Sequence, residues 1–221
     1  VRAQYENNPY PRWVDLGLSL TPLPISMLVD KKKLRLFAHE IVSVVSPKIL
    51  VAGCGTGQQS IGTAVQFKSC KVLAVDLSLS SLAYAKRKTQ EFGIQNIEYM
   101  QADILDLGEL SRRFDIVESA GVLHHMDDPM AGWKVLVDCL KPDGLMKIAL
   151  YSTLARQNIA KVREEIAQLP IGSCDKDLRF FRKKIINSGE EHHKAVSKFK
   201  DFYSLSSYRD LIFHEQEHTF T

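Results

Sequence analysis

The sequence predicts a doubly wound α/β fold on a mainly parallel sheet. Three observations predict it. Short apolar runs alternate with longer amphipathic stretches from Pro47 to Tyr151. A glycine-rich segment, Gly53-Cys54-Gly55-Thr56-Gly57, separates the first run from the helix after it, and the second run ends in an acid, Asp76.

The elements follow in order. Residues 1–30 carry Pro, Asn and aromatics (Tyr5, Asn7, Asn8, Pro9, Tyr10, Pro11, Arg12, Trp13) and are expected to be an extended arm. Leu34 to Val45 reads as a helix leading to the first strand, Lys48 to Ala52. A helix from Gln58 to Phe67 and a second strand, Lys71 to Val75, follow. Ser80 to Gly93 is then a helix with Leu82, Ala83, Ala85 and Phe92 on one face and Gly93 placed to end it. Ile97 to Met100, Phe114 to Val117 and Leu145 to Leu150 are strands three to five. Met130 to Cys139 is the helix between the last two, and Pro142-Asp143-Gly144 a turn. Residues 155–200 are charge-rich and largely helical, broken at Pro170-Ile171-Gly172-Ser173. Three regions result: arm and helix (1–46), an α/β core (47–151), and a mostly helical cap segment (152–221).

Composition excludes several classes. With 45% hydrophobic and 25% charged residues, the 221-residue chain is neither disordered nor fibrous. A net charge of +3 is too small to require nucleic acid, and no such partner is expected. No window approaches the roughly 18 apolar residues of a membrane span. Cys54, Cys70, Cys139 and Cys174 lack the C-x-x-C spacing of a zinc knuckle, so reduced thiols in the cytoplasm are expected. The opening Val1, in place of Met, suggests a piece of a longer polypeptide.

Glycines after a strand allow a sharp turn and let a ligand lie on bare backbone at a helix N-terminus. An acid 19 residues beyond Gly57, at Asp76, stands where a ribose's paired hydroxyls would bind. The dinucleotide pattern G-x-G-x-x-G needs a third glycine at position 58, which is Gln58, so an NAD-dependent oxidoreductase is the weaker alternative. The observed G-x-G-x-G resembles the first motif of the class I S-adenosylmethionine-dependent methyltransferases. Gln101-Ala102-Asp103-Ile104, Phe114 to Val117 leading to Ser119-Ala120-Gly121-Val122-Leu123-His124-His125-Met126, and Leu140 to Leu145 resemble that family's later motifs in order.

The resemblance implies a Rossmann-like fold and S-adenosyl-L-methionine as cofactor. Gly53, Gly55 and Gly57, with Cys54, Thr56 and Gln58, would line its methionyl part. Asp76 and Leu77 would meet the ribose, Ala102, Asp103 and Ile104 the adenine, and Ser119, Ala120 and Gly121 the sulfonium. The family's acid two residues before the first glycine is here Val51, so that end of the site must be built differently. The ends of the chain resemble bacterial methyltransferase modules attached to tetratricopeptide repeats. The family's last strands are expected to be missing, which leaves a sheet edge open to a homodimer or a repeat domain. The function implied is methyl transfer to an unidentified acceptor, small molecule or protein; a non-catalytic cofactor-binding interaction module is the other alternative.

His124 and His125 lie where the fourth strand gives way to loop and are candidates to take a proton from the acceptor. Tyr5 and Arg12 are candidates to close over the cofactor. His214-Glu215-Gln216-Glu217-His218 spells H-E-x-x-H, but Thr219-Phe220-Thr221 continues a helix badly, and no metal is expected. His192-His193 is expected to be solvated, and Phe180 and Phe181 to turn inward from a solvated helix.

Overall fold

The structure, a computed structural model, describes residues 1–18 and 21–221. Its centre is a parallel five-stranded sheet in the order β3-β2-β1-β4-β5, formed by β1 (Lys48–Ala52), β2 (Lys71–Asp76), β3 (Ile97–Gln101), β4 (Phe114–Ala120) and β5 (Leu140–Ala149). The strand order reverses between β1 and β4, and at such a switch point a crevice opens outside the strands' C-terminal ends.

The apolar runs become strands because both faces are covered. Ile49, Val51, Val72, Ala74 and Ile116 face one side, and Leu50, Ala52, Leu73, Val75 and Val117 the other. Helices α3 (Gln58–Gln66), α4 (Leu79–Glu91) and α5 (Pro129–Asp138) connect the strands. Ser78 caps α4 by accepting from the Ser81 N–H; Asp128 caps α5, with Pro129 at its first position.

Several boundaries differ from expectation. The arm is not wholly extended: Arg2–Asn7 forms α1, docked on α4, and Ile25–Lys31 forms α2. Pro24 starts α2, since its fixed φ suits a helix entrance. Ser19 and Leu20, part of the expected extended stretch, lie outside the described residues. Leu34 to Val45 is not a helix; only Glu40–Ser43 makes a 3-10 turn. Ile41 is buried there while Phe37 and Val45 are exposed, so no helical stripe is covered, and four β-branched residues close the stretch. Pro142-Asp143-Gly144 is a kink inside β5 rather than a turn before it. Asp143 has φ +61°, the pairing slips between Phe114 and Ile116, and a Cβ on Gly144 would sit 2.9 Å from the Asp115 carbonyl oxygen.

After β5 the described residues form helices: α6 (Thr153–Ala167), α7 (Asp175–Ile186), α8 (Glu191–Val196) and α9 (Leu205–Phe213). They share their own core of Ile159, Val162, Leu178, Phe181, Val196, Phe202 and Tyr208. Among the described residues no strand follows β5 in the sheet; a single bridge joins Ser152 to Phe220. Phe181 turns inward, but Phe180 is 61% exposed, because one face of α7 reaches the core and these neighbours are about 100° apart. His193 is not solvated: it is 2% exposed, and its Nε2 and that of His192 both lie on the Glu165 carboxylate, tying α8 to α6. Among the described residues no helix is long and apolar enough to cross a membrane, and all four cysteines are free thiols.

Candidate active site

The glycine loop closes the C-terminal end of β1. Gly53, Gly55 and Gly57 have φ of +74°, +52° and +90°, a region L side chains rarely enter. The N–H groups of Gly53 and Cys54 bond the Val75 carbonyl, so the loop bends over the tip of β2, where Asp76 stands. Asp76 accepts from the Gly55 N–H at 2.7 Å and the Ser78 N–H at 3.0 Å, placing the carboxylate against the bend. Burial pushes the Asp76 carboxyl up, and those two N–H groups oppose the shift. Cys54 is buried and its thiol pushed up, which makes it an inert wall. Gln58, at the start of α3, is exposed.

Leu77 and Ala102 flank Asp76: the Leu77 carbonyl accepts from Gln101, and the Ala102 N–H bonds the Asp76 carbonyl. Asp103 caps a 3-10 turn, Ile104–Glu109, by accepting from the Leu105 N–H, and Ile104 is buried beneath. The loop, Asp76 and the residues after β3 therefore share one end of the sheet.

The arm lies across the loop. Thr56 Oγ1 donates to the Pro11 carbonyl at 2.5 Å and accepts from Trp13 Nε1 at 3.1 Å. Glu6 accepts from the Leu79 and Ser80 N–H groups at the start of α4, bonds that hold its carboxyl down to about 2. Arg12 is exposed, between the two residues that touch the loop. Tyr5 reaches elsewhere, to α9.

Beyond β4 a second cluster gathers. Ser119 is buried and its Oγ has no partner among the described residues; Gly121, φ +78°, turns the chain toward His124 and His125. His124 stacks on Tyr151, ring centroids 3.7 Å apart, with neither ring nitrogen bonded among the described residues. His125 stacks on His214 at 3.6 Å, and its Nδ1 lies 2.7 Å from the Gln216 carbonyl, an acceptor. Nδ1 must therefore carry the proton, leaving Nε2 as the lone-pair nitrogen. His214 Nδ1 accepts from the Gln216 N–H, so its proton is on Nε2, directed at the Tyr5 hydroxyl 3.0 Å away, which donates in turn to Asp210 at 2.9 Å. Burial pushes His124 and His214 down to about 3 and His125 to about 4, so all three rings are neutral at pH 7. Burial pushes Asp210 the other way, up to about 6. Arg156 lies over Tyr151 and pairs with Glu217.

The sequence reading placed the glycine loop, Asp76, Ser119 and the histidine pair at one end of the sheet. It did not place Tyr151, Arg156, Asp210, Glu217 or Glu118 there. Glu118 is one of two acids on the fourth strand, with Asp115; Tyr151 closely follows β5, and the others come from the segment after it and meet the core only through tertiary packing. The H-E-x-x-H letters make no helical pair, because α9 ends at Phe213 and His214 and His218 bond different groups.

S-adenosyl-L-methionine fits these residues: three positive-φ glycines bend the loop over the tip of β2, the Asp76 carboxylate stands against that bend, and Ser119 Oγ, on β4 at the same end of the sheet, is an orphaned buried polar atom among the described residues. Residues 49–144 match the family described as "Methyltransferase domain". An uncharacterized protein of Synechococcus sp. is 36% identical over 124 residues, covering 56% of this chain and 30% of its own length. A ubiquinone biosynthesis O-methyltransferase of Marinobacter nauticus is 30% identical over 62% of this chain and 56% of its own. The chain thus spans about a third to just over half of these relatives. The structure of PKMT2 from Rickettsia typhi in complex with AdoHcy shares the fold, with a TM-score of 0.66 at 22% identity over 95% of this chain and 42% of that one. Residues 49–144 of the chain are thus similar to a methyltransferase domain, carried on a Rossmann-like methyltransferase fold.

Proposed function

We propose that the chain moves a methyl group from S-adenosyl-L-methionine to an acceptor held against the His124–His125 loop. The observation that carries this reading is the bend at Gly53–Gly57 with the Asp76 carboxylate 2.7 Å from the Gly55 N–H. On this reading Gly53, Cys54, Gly55, Thr56, Gly57 and Gln58 border the methionyl arm. Asp76 and Leu77 hold the ribose, Ala102, Asp103 and Ile104 frame the adenine, and Ser119, Ala120 and Gly121 border the sulfonium. When bound, the cofactor supplies a methyl group on a positively charged sulfur, open to in-line displacement.

Displacement of this kind needs alignment and a dry pocket more than a protein nucleophile. The arm excludes water from the loop through Pro11, Trp13 and Thr56, and Tyr5 fixes the far wall by bonding Asp210 and His214; Arg12 stays beside them on the same arm. His125, with its proton held on Nδ1, offers Nε2 to a proton leaving the acceptor, and neutral His124 shapes the wall beside it. The regions 1–46, 47–151 and 152–221 then divide the work into cover, cofactor grip and acceptor selection, with the thiols reduced in the cytoplasm. β5 is the open edge to which a second copy or a repeat domain would add.

Titration calorimetry with S-adenosylhomocysteine tests the grip. The chain should bind it, and Asp76→Ala should weaken binding by at least about tenfold, the order expected for loss of a hydrogen bond to a charged group. Methyl-labelled cofactor added to cell extract should then mark the acceptor. Unchanged affinity in Asp76→Ala, or tight binding with no label transferred in any extract, overturns the reading.

A further inference from the structure

We propose that Glu118 is the anionic partner of the cofactor's α-ammonium group, a refinement that rests on the methyltransferase reading. Glu118 stands on β4 one residue before Ser119 and is the register partner of Val51 on β1, two residues before Gly53. Register partners in a parallel pair leave the sheet on the same face. For this pair it is the face covered by α3, the helix that the glycine loop opens. The opening strand is apolar at this level, so Glu118 brings the negative charge from the adjacent strand.

The carboxylate is electrostatically incomplete as it stands. It is 6% exposed, and Oε2 accepts two bonds, from Thr63 Oγ1 at 2.7 Å and Gln59 Nε2 at 2.9 Å, both neutral donors on α3. Oε1 has no hydrogen bond among the described residues. The cation near it, Lys147 Nζ, lies 3.8 Å away on a side chain 59% exposed, a pair that solvent screens. A buried carboxylate supported mainly by neutral dipoles is costly, and a cationic ligand group relieves it.

Other acids are already engaged. Asp76 holds the Gly55 and Ser78 N–H groups, and Asp115, at the opposite end of β4, pairs with Lys141 and accepts from the Lys48 N–H. The methionyl arm of the cofactor carries an ammonium, and by the reading above that arm lies along the loop running into Gln58 and Gln59. Glu118 is the buried acid beneath that first turn with bonding capacity left over.

The test uses two ligands that differ at the arm. S-adenosylhomocysteine carries the ammonium; methylthioadenosine has the same adenosine and sulfur but lacks the amino-acid end. In Glu118→Gln, which keeps the shape and an oxygen for Thr63, affinity for S-adenosylhomocysteine should fall by about tenfold or more. Affinity for methylthioadenosine should change less than about twofold. Because both ligands are measured on one preparation, partial unfolding lowers the two alike and is recognised as such; Glu118→Asp, which keeps the charge, should then retain the preference for S-adenosylhomocysteine. Equal losses for both ligands in both variants, or no loss for either, overturn the proposal by leaving Glu118 a brace for α3. A wild-type chain that binds neither compound refutes the methyltransferase reading itself, and this refinement with it.

Discussion

Replacing Asp210 with Asn should stabilise the protein at neutral pH. Asp210 is 7% exposed on α9, and its Oδ1 accepts from the Tyr5 hydroxyl at 2.9 Å. Burial dominates its surroundings and pushes the carboxyl from 3.8 up to about 6 even though Tyr5 and Arg156 favour the charged form. A folded-state value above the unfolded one means that the folded chain binds the proton more tightly. The group's contribution is therefore fully present below 3.8 and is lost as pH rises through about 6. A shift of this size corresponds to about 3 kcal/mol. Asn keeps an oxygen for Tyr5 and never ionises. Urea unfolding of both proteins from pH 3.5 to pH 8 isolates the effect, because the difference between the two curves cancels groups common to both, His124, His125 and His214 included. The variant should gain up to about 3 kcal/mol at pH 7 relative to its difference near pH 3.5. A pH-independent difference, or an Asp210→Asn protein that is less stable at pH 7 than at pH 4 relative to wild type, refutes the reasoning.

Other perturbations follow from the same structure. Gly55→Ala places a side chain at φ +52°, about 1–2 kcal/mol of strain, and its Cβ 2.7 Å from the Tyr10 carbonyl; thermal unfolding should shift down and S-adenosylhomocysteine binding should be lost. His124→Phe keeps a ring against Tyr151 and removes two unpartnered buried nitrogens, so urea unfolding should show a gain of about 1–3 kcal/mol while methyl transfer falls and cofactor affinity holds. Phe181→Ala should cost about 3–5 kcal/mol, and Phe180→Ala no more than about 0.5, as measured by urea midpoints; equal costs would contradict the inward face assigned to α7.

The sheet was legible in the sequence because each of its strands is written locally: an apolar run, a glycine or polar stop, an amphipathic helix. The glycine loop and Asp76 were legible for the same reason, as both sit at strand ends that local pattern fixes. The arm was misread because α1 is held by tertiary contacts, Tyr5 to Asp210 and Glu6 to the start of α4, that lie about 200 and about 70 positions away in sequence and override weak local preference. Leu34 to Val45 fails in the opposite direction: Leu36, Ile41, Val42 and Val44 pack on the core without a helix, while Phe37 and Val45 of the apparent stripe stay exposed. His193 was read as solvated because no local signal shows that Glu165, on another helix, takes its Nε2. Glu118 is visible as an acid on its strand, but so is Asp115; only the register with Val51 shows which face the Glu118 charge occupies.

Groups that cost stability gather around the glycine loop at the working end of the molecule. At the C-terminal ends of the strands lie three glycines at positive φ in one loop, the unpartnered Ser119 Oγ, both ring nitrogens of His124, and the half-satisfied Glu118. At the other end of the same sheet, Asp115 is paired with Lys141 and with the Lys48 N–H, and its charge is answered. The helical segment has orphaned atoms too, Arg163 Nη1, His193 Nδ1, Ser206 Oγ and Tyr208 Oη, but these are spread over α6, α8 and α9 with no glycine loop beside them. Evolution removes such costs where nothing requires them, since each unsatisfied buried group is worth about 1–3 kcal/mol against a total stability of only about 5–15. The glycine loop, Ser119, His124 and Glu118 meet near the switch point between β1 and β4, where the topology itself opens a crevice, so strand order and these groups select the same place. A ligand bound there would satisfy groups from both halves of the site, so its binding should raise the unfolding temperature more than a ligand held by the glycine loop alone.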